Sequence, residues 1–436
     1  MSRAGRFKRL LNDGYDGRDL WSWSMFDFAN SGYTTVVITA VFNAYFVSTV
    51  SNNADWATFL WTVILSISYL FAMVTGPSIG VFIDQSGLRK KVLFLSTVGC
   101  ALATIGLGSI NEGDIWLASI LIIVSNYFFC IGENIIGSYL PDIAKKEGVG
   151  RVSGIGWGVG YIGGIVTLAI SLFVVIKLQA SGWAPSDYVP VTMIITGAIF
   201  FVAALPTFFF LRERPYPVTT ESSERGAGYS WSIMLSGGQS FRDLRRFLWS
   251  TVFFQAGVQA VIAVAAIYAQ QVMQFTFSQT IVLIMVVNIT ASLGSWIFGR
   301  VHDLLGHRRS LSFILSAWVF VTVFAWSSES VVSFWVVANL AGIFLGACQS
   351  NTRAFVAVLA PASRRAEIFG LWGLSVKCAS ILGPMVYGAL TWILAGRHQD
   401  AILSLGVMFL VGLLLLIGVN ESRGIAAANE ASTKDR

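Results

Sequence analysis

The sequence predicts an all-α membrane protein with twelve transmembrane helices in two six-helix halves. Fifty-five per cent of its 436 residues are hydrophobic and only 12% are charged, and the mean hydropathy is +0.69. Soluble domains carry roughly 25% charged residues, so this composition could not cover a water-facing surface. Disorder is also excluded, because disordered chains have low hydrophobicity. A lipid bilayer is therefore the solvent that suits this chain.

Twelve apolar segments make up most of the chain, and each is long enough for a membrane helix, which needs about 20 residues. A polar stretch precedes the first segment. That segment is too long for the core of a signal peptide, so we interpret it as a membrane helix. The predicted helices lie at 21–48, 57–82, 92–110, 115–140, 152–178, 189–211, 246–271, 278–299, 310–327, 331–357, 367–395 and 400–420.

A polar stretch separates the sixth helix from the seventh. It contains RERPYPVTTESSERGAG, which is rich in proline, serine, threonine and charge and is typical of a linker. We therefore predict an N-terminal six-helix half at 1–211 with a short cytosolic tail. A cytosolic linker at 212–245 and a C-terminal six-helix half at 246–436, also with a short cytosolic tail, complete the chain.

The positive charges indicate the orientation in the membrane. Most of the 29 lysines and arginines lie in the two tails, the linker and every second loop. The remaining loops hold Lys177 and Arg397, and one helix holds Lys377. Cytosolic loops carry such an excess, so both termini are predicted to be cytosolic. This distribution explains the net charge of +6 without nucleic acid, and the basic loops would contact anionic lipid headgroups.

The two predicted halves contain a repeat. GVFIDQSGLRKK begins at Gly80 and GRVHDLLGHRRS begins at Gly299, an offset of 219 positions. The same offset aligns Gly154 with Gly373 in later helices. One register over two blocks indicates the duplicated six-helix halves of a major facilitator transporter. The aligned loop residues are Gly80 with Gly299, Asp84 with Asp303, Gly87 with Gly306, and Arg89 with Arg308.

The repeated pattern G-x-x-x-D-x-x-G-x-R-K/R resembles the signature loop of the major facilitator superfamily. Its first glycine allows close helix packing, and its second permits a sharp turn. The aspartate can pair with a nearby arginine or with a helix N-terminus. The resemblance implies that these loops gate conformational change and do not bind substrate. The alternative is an ordinary basic turn.

Residues 154–164, GIGWGVGYIGG, contain a formal G-x-G-x-x-G at Gly158, Gly160 and Gly163. A dinucleotide site would need a preceding strand and an acid about 20 residues further on. This run lies inside an apolar helix, and the next acid, Asp187, is in an outer loop. We interpret the run as close packing between helices.

Polar residues in the first helix form a candidate site. Asp27, Asn30, Ser31 and Thr34 fall within an arc of about 100° at helical spacing. A carboxylate inside a membrane helix is costly and normally faces a partner or a water-filled cavity. The stripe could bind substrate or carry a proton. Alternatively, Asp27 pairs with a cytosolic basic residue.

Three other helices supply further candidates. Glu133 and Asn134 in helix 4 could form a second site, or Glu133 could pair with Arg353. Lys377 is the deepest cation, and it could meet a substrate carboxylate or an acidic side chain, or snorkel to the interface. Gln255 and Gln259 in helix 7 share a face and could line a cavity or bond between helices.

The sequence contains no motif of an enzyme. G-x-x-x-x-G-K-[ST], H-E-x-x-H and G-x-S-x-G are absent. The four cysteines lie in apolar runs, and no cysteine–histidine cluster has the spacing of a metal site. We therefore predict that the protein is not an enzyme, and that it holds no metal or organic cofactor.

Several motifs resemble those of the vacuole-effluxer-like family, also called the unknown major facilitator family. DFANSGY at 27–33 is similar to that family's D-W-A-N-S-x-Y, which adds Tyr33 to the candidate site. Segments 134–141, 151–164 and 366–370 and residues Gln349 and Arg353 also match the family pattern. In helix 7 this chain has Ala256 where the family usually has an aspartate.

The resemblance implies a substrate class and a location. Fungal members include the autophagy-related vacuolar amino-acid exporter, so amino acids are the implied substrates. The short loops are more similar to those of bacterial members, which implies the cytoplasmic membrane of a bacterium.

These observations predict a secondary active or facilitative transporter of small polar solutes that works by alternating access. The substrate would lie near the bilayer midplane, held by helices 1, 4, 7 and 11. A proton could be the coupling ion, carried by Asp27 or Glu133. The expected partners are a small-molecule substrate and the bilayer, and the chain is expected to be a monomer. The alternatives are a non-transporting membrane sensor or receptor, or an exporter of sugars, peptides or drugs.

Overall fold

The computed structural model describes residues 9–52, 54, 56–213, 241–328, 330–394 and 397–434. In this part of the chain, 12 helices are long and apolar enough to cross a membrane. The main α-helix of each span is, in chain order, α1 (Gly17–Tyr33), α2 (Ala57–Ser86), α3 (Arg89–Gly106), α4 (Ile115–Gly137), α5 (Val149–Ala180), α6 (Pro185–Phe210), α7 (Arg242–Gln271), α8 (Phe277–Leu305), α9 (His307–Trp326), α10 (Val331–Leu359), α11 (Arg365–Ile393) and α12 (Leu403–Ile417). The predicted fold class, an all-α membrane protein with twelve transmembrane helices, is confirmed.

The first helix begins four residues earlier than predicted because a cap fixes its start. Asp16 accepts hydrogen bonds from the backbone N–H groups of Arg18 and Asp19, and Asp19 accepts one from Asp16 in return. The hydrogen bond from the Arg18 N–H lowers the pKa of Asp16. A charged carboxylate at a helix N-terminus is favourable, so the polar residues before the apolar run join the helix.

The span that begins with α1 continues to Val50 but loses its regular geometry. Thr34–Ala40 and Phe46–Val50 are π-helical, with a short α-helix at Phe42–Tyr45 between them. The Thr39 hydroxyl donates to the carbonyl of Thr34, five residues earlier (3.1 Å). Such π-helical turns occur frequently at functional sites.

Helix packing repeats between the two halves. In the first half α1 packs on α5 and α6, α3 packs on α4 and α6, and α2 packs on α4. In the second half α7 packs on α11 and α12, α9 on α10 and α12, and α8 on α10. The halves meet where α2 packs on α11 and α5 packs on α8. Each contact has a counterpart six helices away, as a pseudo-two-fold axis requires.

The repeat does not keep one register throughout, which corrects the alignment of Gly154 with Gly373. Gly154 packs on α8 at Ser295 and Gly299, whereas the α11 residue that packs on the matching part of α2 is Gly370. The offset between equivalent residues therefore falls from 219 for Gly76 and Ser295 to 216 for Gly154 and Gly370, so the equivalence shifts by three. The match of Gly154 to Gly373 arose because glycines are frequent in both helices.

The predicted linker at 212–245 is described only at its two ends. Residues 214–240 lie outside the described ranges, and α7 already begins at Arg242. The C-terminal tail, in contrast, contains a helix that the sequence analysis did not predict, α13 (Glu421–Lys434). The Glu421 carboxylate accepts hydrogen bonds from the first N–H groups of α9, which holds α13 against the second half.

Candidate functional site

Each repeated loop places its aspartate on a helix of the opposite half. We call the end of the bundle that carries these loops the basic end. Asp84 accepts hydrogen bonds from the N–H groups of Ala366 (3.1 Å) and Glu367 (2.8 Å) at the start of α11. Asp303 accepts one from the N–H of Gly150 (2.8 Å) at the start of α5. Because carboxylates are stabilised at helix N-termini, the hydrogen bonds of Asp84 and Asp303 hold the two halves together.

The loop glycines make this close approach possible. A side chain on Gly80 would overlap the backbone of Ala366, and one on Gly299 would press on the backbone of α5. Gly87 and Gly306 have φ angles of 67° and 83°, which side-chain-bearing residues rarely adopt. The glycine pattern thus serves helix contact and turning.

The two loop arginines have different partners although the repeat aligns them. Arg89 binds the Asp142 carboxylate through Nη1 (2.6 Å) and is almost fully buried. Asp142 also binds Arg365 of the second half. Arg308 instead donates to two backbone carbonyls at the end of α12, at 3.2 Å each. Only the first loop therefore contributes its arginine to an ion-pair cluster that joins the halves.

Asp27 forms a buried ion pair between the halves. Arg353 Nη1 donates to both oxygens of Asp27 (2.7 and 3.0 Å), and Arg353 Nε donates to the Ser153 hydroxyl (3.2 Å). The guanidinium lies 4.7 Å from the ring centre of Trp23 and 5.3 Å from that of Trp157. All four partners belong to the first half and Arg353 to the second. The pair therefore links α1 and α5 to α10.

Glu133 forms a second ion pair, deeper in the membrane. Lys377 Nζ lies 2.8 Å from Glu133 Oε2, and about twelve residues of α11, or roughly 18 Å, separate Lys377 from the basic end. The alternative pairing of Glu133 with Arg353 is wrong, because Arg353 binds Asp27. The Glu133 side chain retains 23% of its exposure and Lys377 7%.

Polar side chains of five helices lie well inside the membrane-spanning segments. On α1, Asn30 lies one turn farther from the basic end than Asp27, and on α10 Gln349 lies one turn farther than Arg353. Gln255 of α7 donates to Gln349 through Nε2 (2.8 Å). Glu133 of α4 and Lys377 of α11 complete the group. We call the following side chains the polar floor: Asn30, Glu133, Asn134, Gln255 and Lys377.

Several buried polar atoms of this region have no hydrogen-bond partner among the described residues. They include the side-chain carbonyl oxygens of Asn30, Asn134 and Gln255 and the indole nitrogen of Trp372. The four side chains are 7%, 6%, 0% and 3% exposed. Unpaired polar atoms are rare in protein interiors and usually have an unseen partner. The side chain of Gln259, one turn beyond Gln255, is half-buried and also makes no hydrogen bond to any of the described residues.

Three other α1 candidates, Tyr33, Ser31 and Thr34, contact neighbours within the first half, and their role in binding stays a prediction. The Tyr33 hydroxyl bonds Ser125 (2.8 Å), and its ring stacks on Phe129 (5.2 Å) inside the first half. Ser31 packs against the glycines of α5. The Thr34 hydroxyl donates to backbone carbonyls of its own helix.

The sequence analysis did not assign a site role to Arg353, Gln349 or Tyr69. Arg353 lies near the end of its helix and was counted among the cytosolic charges. One signal was present, since the offset of 219 aligns Arg353 with Asn134, which lies in the floor. Among the described residues, no group of three or more His, Cys, Asp and Glu could hold a metal ion.

Two relatives share the length of this chain. The uncharacterized MFS-type transporter YxiO of Bacillus subtilis (strain 168) is 27% identical over 417 residues, covering 92% of this chain and 94% of its own. Autophagy-related protein 22 of Kluyveromyces lactis is 22% identical over 413 residues, covering 84% and 81%. Both similarities extend over the two halves.

Solved structures and the family model agree with this similarity. The human organic anion transporter MFSD10 superposes with a TM-score of 0.71 at 14% identity, covering 92% of this chain and 99% of its own. That similarity shows the major facilitator fold. The model of the family "Vacuole effluxer Atg22 like" matches residues 55–429. The chain therefore belongs to the vacuole effluxer Atg22-like family, and it is a multi-pass membrane transporter of the MFS type and not an enzyme.

Proposed function

We propose that this protein moves small polar solutes by alternating access, with amino acids as the leading substrate class. The observation that carries the proposal is the set of buried oxygens of Asn30, Asn134 and Gln255 in the polar floor, which have no hydrogen-bond partner among the described residues. An unsatisfied buried polar group costs roughly 1–3 kcal/mol, and hydrocarbon offers no replacement partner. A polar solute that hydrogen-bonds to these oxygens would offset this cost.

The charges of the floor favour a zwitterion. Glu133 supplies a carboxylate and Lys377 an ammonium group, 2.8 Å apart. An amino acid carries the same two charges, so its ammonium could bind Glu133 and its carboxylate Lys377. The name of the family, vacuole effluxer, is consistent with movement of small solutes.

Alternating access would separate the two halves, which we place at 1–211 and 246–436, at the basic end. The bonds of Asp84 and Asp303 to helix starts and the Asp27–Arg353 pair would break together in that step. Because one chain contains both halves, we propose a monomer. Similarity to a Bacillus subtilis protein supports the cytoplasmic membrane of a bacterium as its location.

We also propose a proton as the coupling ion. Asp27 and Glu133 each bind a cationic side chain in this conformation. A proton could therefore bind either carboxylate only after Arg353 or Lys377 moves away, which would link protonation to movement of the halves. Transport in Asp27→Asn and Glu133→Gln that no longer responds to a pH gradient supports this coupling. A wild-type rate that ignores the gradient contradicts it.

The test is transport by purified protein in liposomes. A labelled pool of amino acids is supplied with and without a pH gradient, and uptake is compared with that of empty liposomes. We expect uptake by the wild type and a loss of at least about tenfold in Lys377→Met, because a charge-assisted hydrogen bond contributes roughly 1.5–3 kcal/mol.

The matched control is Lys177→Met, which removes an exposed lysine at the far end of α5. It should transport like the wild type. No uptake of amino acids by folded protein would remove that substrate class and bring sugars, peptides and drugs forward. Failure with every solute class would favour the sensor or receptor alternative.

A further inference from the structure

We propose that Glu133, Tyr69 and Phe129 form an ammonium-binding subsite, and that Lys377 occupies it as an internal substitute for the ammonium group of a substrate. This inference rests on the proposed transport function and names the chemical group that the transported solute must carry. The solute is a primary alkylammonium compound or a molecule that contains such a group.

The geometry of the subsite is that of an ammonium receptor. The Lys377 nitrogen donates to Glu133 at 2.8 Å and lies 5.5 Å from the ring centre of Tyr69 and 5.6 Å from that of Phe129. Cations bind aromatic faces at distances up to about 6 Å. The carboxylate supplies the charge and the two rings supply the remaining attraction.

The receptor and its occupant come from different halves. Tyr69 is on α2, and Phe129 and Glu133 are on α4, so the receptor belongs to the first half. Lys377 is on α11 of the second half. A movement that separates α11 from α4 would withdraw the ammonium and leave Glu133 charged and unpaired. An uncompensated carboxylate in the membrane is costly, so a solute ammonium could then take its place.

Two observations indicate that the occupant can be displaced. Glu133 retains 23% of its side-chain exposure against 7% for Lys377, so it is the less enclosed member of the pair. The neighbouring Asn134 carbonyl oxygen is buried without a hydrogen-bond partner among the described residues. A purely structural ion pair would be expected to lie in fully satisfied surroundings. An ammonium has three N–H donors, so a solute could use the second acceptor while it binds Glu133.

The test is chemical complementation of Lys377→Ala. This substitution removes Cγ, Cδ, Cε and Nζ, which together correspond to propylammonium. We expect the purified variant in detergent to melt at a lower temperature than the wild type. Propylammonium should raise its melting temperature, whereas the neutral isostere propanol and the anion propionate should not. The wild type, whose subsite is filled, should respond much less.

Two further variants test the receptor groups. In Lys377→Ala/Glu133→Gln the apparent affinity for propylammonium should fall at least about tenfold, because a charge-assisted hydrogen bond is lost. In Lys377→Ala/Tyr69→Leu it should fall about fivefold, the equivalent of about 1 kcal/mol of cation–π attraction. Lys177→Ala, which removes an exposed lysine, is the control and should show no response to propylammonium.

Three results would overturn the proposal. They are no response to propylammonium in a folded Lys377→Ala variant, an equal response to propanol, or an unchanged response when Glu133 is replaced. If Lys377→Ala does not fold, Lys377→Met, which keeps the length of the side chain to the ε position and has no donor, leaves a gap of one atom and should respond to ammonium in the same way. These readouts need no transport. A response to propylammonium without transport would support the subsite and contradict the proposed function. Transport without a response to propylammonium would contradict only the subsite.

Discussion

At the scale of the residue, the two buried ion pairs decide how the halves meet. Arg353 binds Asp27 and Lys377 binds Glu133, and both bonds cross between the halves. Buried ion pairs contribute little net stability, because desolvation offsets their attraction, but removal of one partner leaves an uncompensated charge. Such pairs are suited to a contact that must form and break during a transport cycle.

We predict that Asp27→Asn destabilises the protein strongly. Arg353 is only 4% exposed at its side chain and would be left buried without its carboxylate, which costs roughly 3–5 kcal/mol. Thermal unfolding in detergent measures the loss. The control is Asp13→Asn, whose carboxylate is fully exposed. Addition of Arg353→Met should restore much of the stability of Asp27→Asn. Equal melting temperatures for Asp27→Asn and its control would contradict this assignment.

At the scale of the element, glycines bring helices of opposite halves into backbone contact. Gly154 of α5 lies against the Ser295 carbonyl of α8, and Gly370 of α11 lies against the backbone of α2 at Gly76. Close approach through small residues is the main route by which membrane helices pack tightly. Helix starts add a second kind of contact, because aspartates from the opposite half cap α5 and α11.

We predict opposite effects of alanine at two glycines. In Gly154→Ala the new methyl group would overlap the Ser295 carbonyl, which should destabilise the closed basic end by roughly 1–3 kcal/mol. In Gly388→Ala the methyl group meets open space. There the higher helix propensity of alanine should stabilise by up to about 1 kcal/mol. Melting temperatures that change in the same direction in both variants would refute the described packing.

We also predict that Asp84→Asn weakens the junction between the halves. Its carboxylate accepts two N–H groups of α11, and loss of a cap costs roughly 0.5–2 kcal/mol. Asp114→Asn is the matched control, since Asp114 accepts a backbone N–H from Asn111 within one half. Both should lower the melting temperature. Only Asp84→Asn should increase the reactivity of a cysteine introduced at Ser153, which is buried at the seam.

At the scale of the whole molecule, the pseudo-two-fold arrangement places all these contacts at one end. Hydrogen bonds and ion pairs between the halves extend from the basic loops to Glu133–Lys377. The described conformation is therefore closed at the basic end. The two halves differ in the side chains at equivalent positions. The position equivalent to Arg353 is occupied by Asn134, and the two side chains make different contacts with the opposite half.

We predict that the basic end faces the cytosol. Green fluorescent protein fused after the C-terminus should fluoresce, because it matures in the cytosol, and a fusion truncated at Gly182 in the opposite loops should not. Alkaline phosphatase fused at the same two positions should give the reverse pattern, since it is active only after export. Fluorescence at Gly182 and not at the C-terminus would invert the orientation that the lysine and arginine distribution predicts.

Much of the fold could be predicted from the sequence because it follows from local properties. Hydropathy identifies the twelve helices, since each one must satisfy its own backbone within the bilayer. The repeated loops indicate the duplicated halves, and Asp27, Glu133 and Lys377 are conspicuous because charges are rare within membrane helices. Most residues of the floor could therefore be named as candidates from the sequence.

The sequence by itself thus determined the solvent, the number of helices and the intramembrane charges. Only the tertiary structure decided which side chains meet. Three findings depend on helix rotation and loop length. Arg353 pairs with Asp27 and Lys377 with Glu133, Tyr33 is buried within the first half, and the equivalence of α11 to α5 is shifted by three residues. Hydropathy does not encode these quantities, because a helix has the same hydropathy at every rotation about its axis.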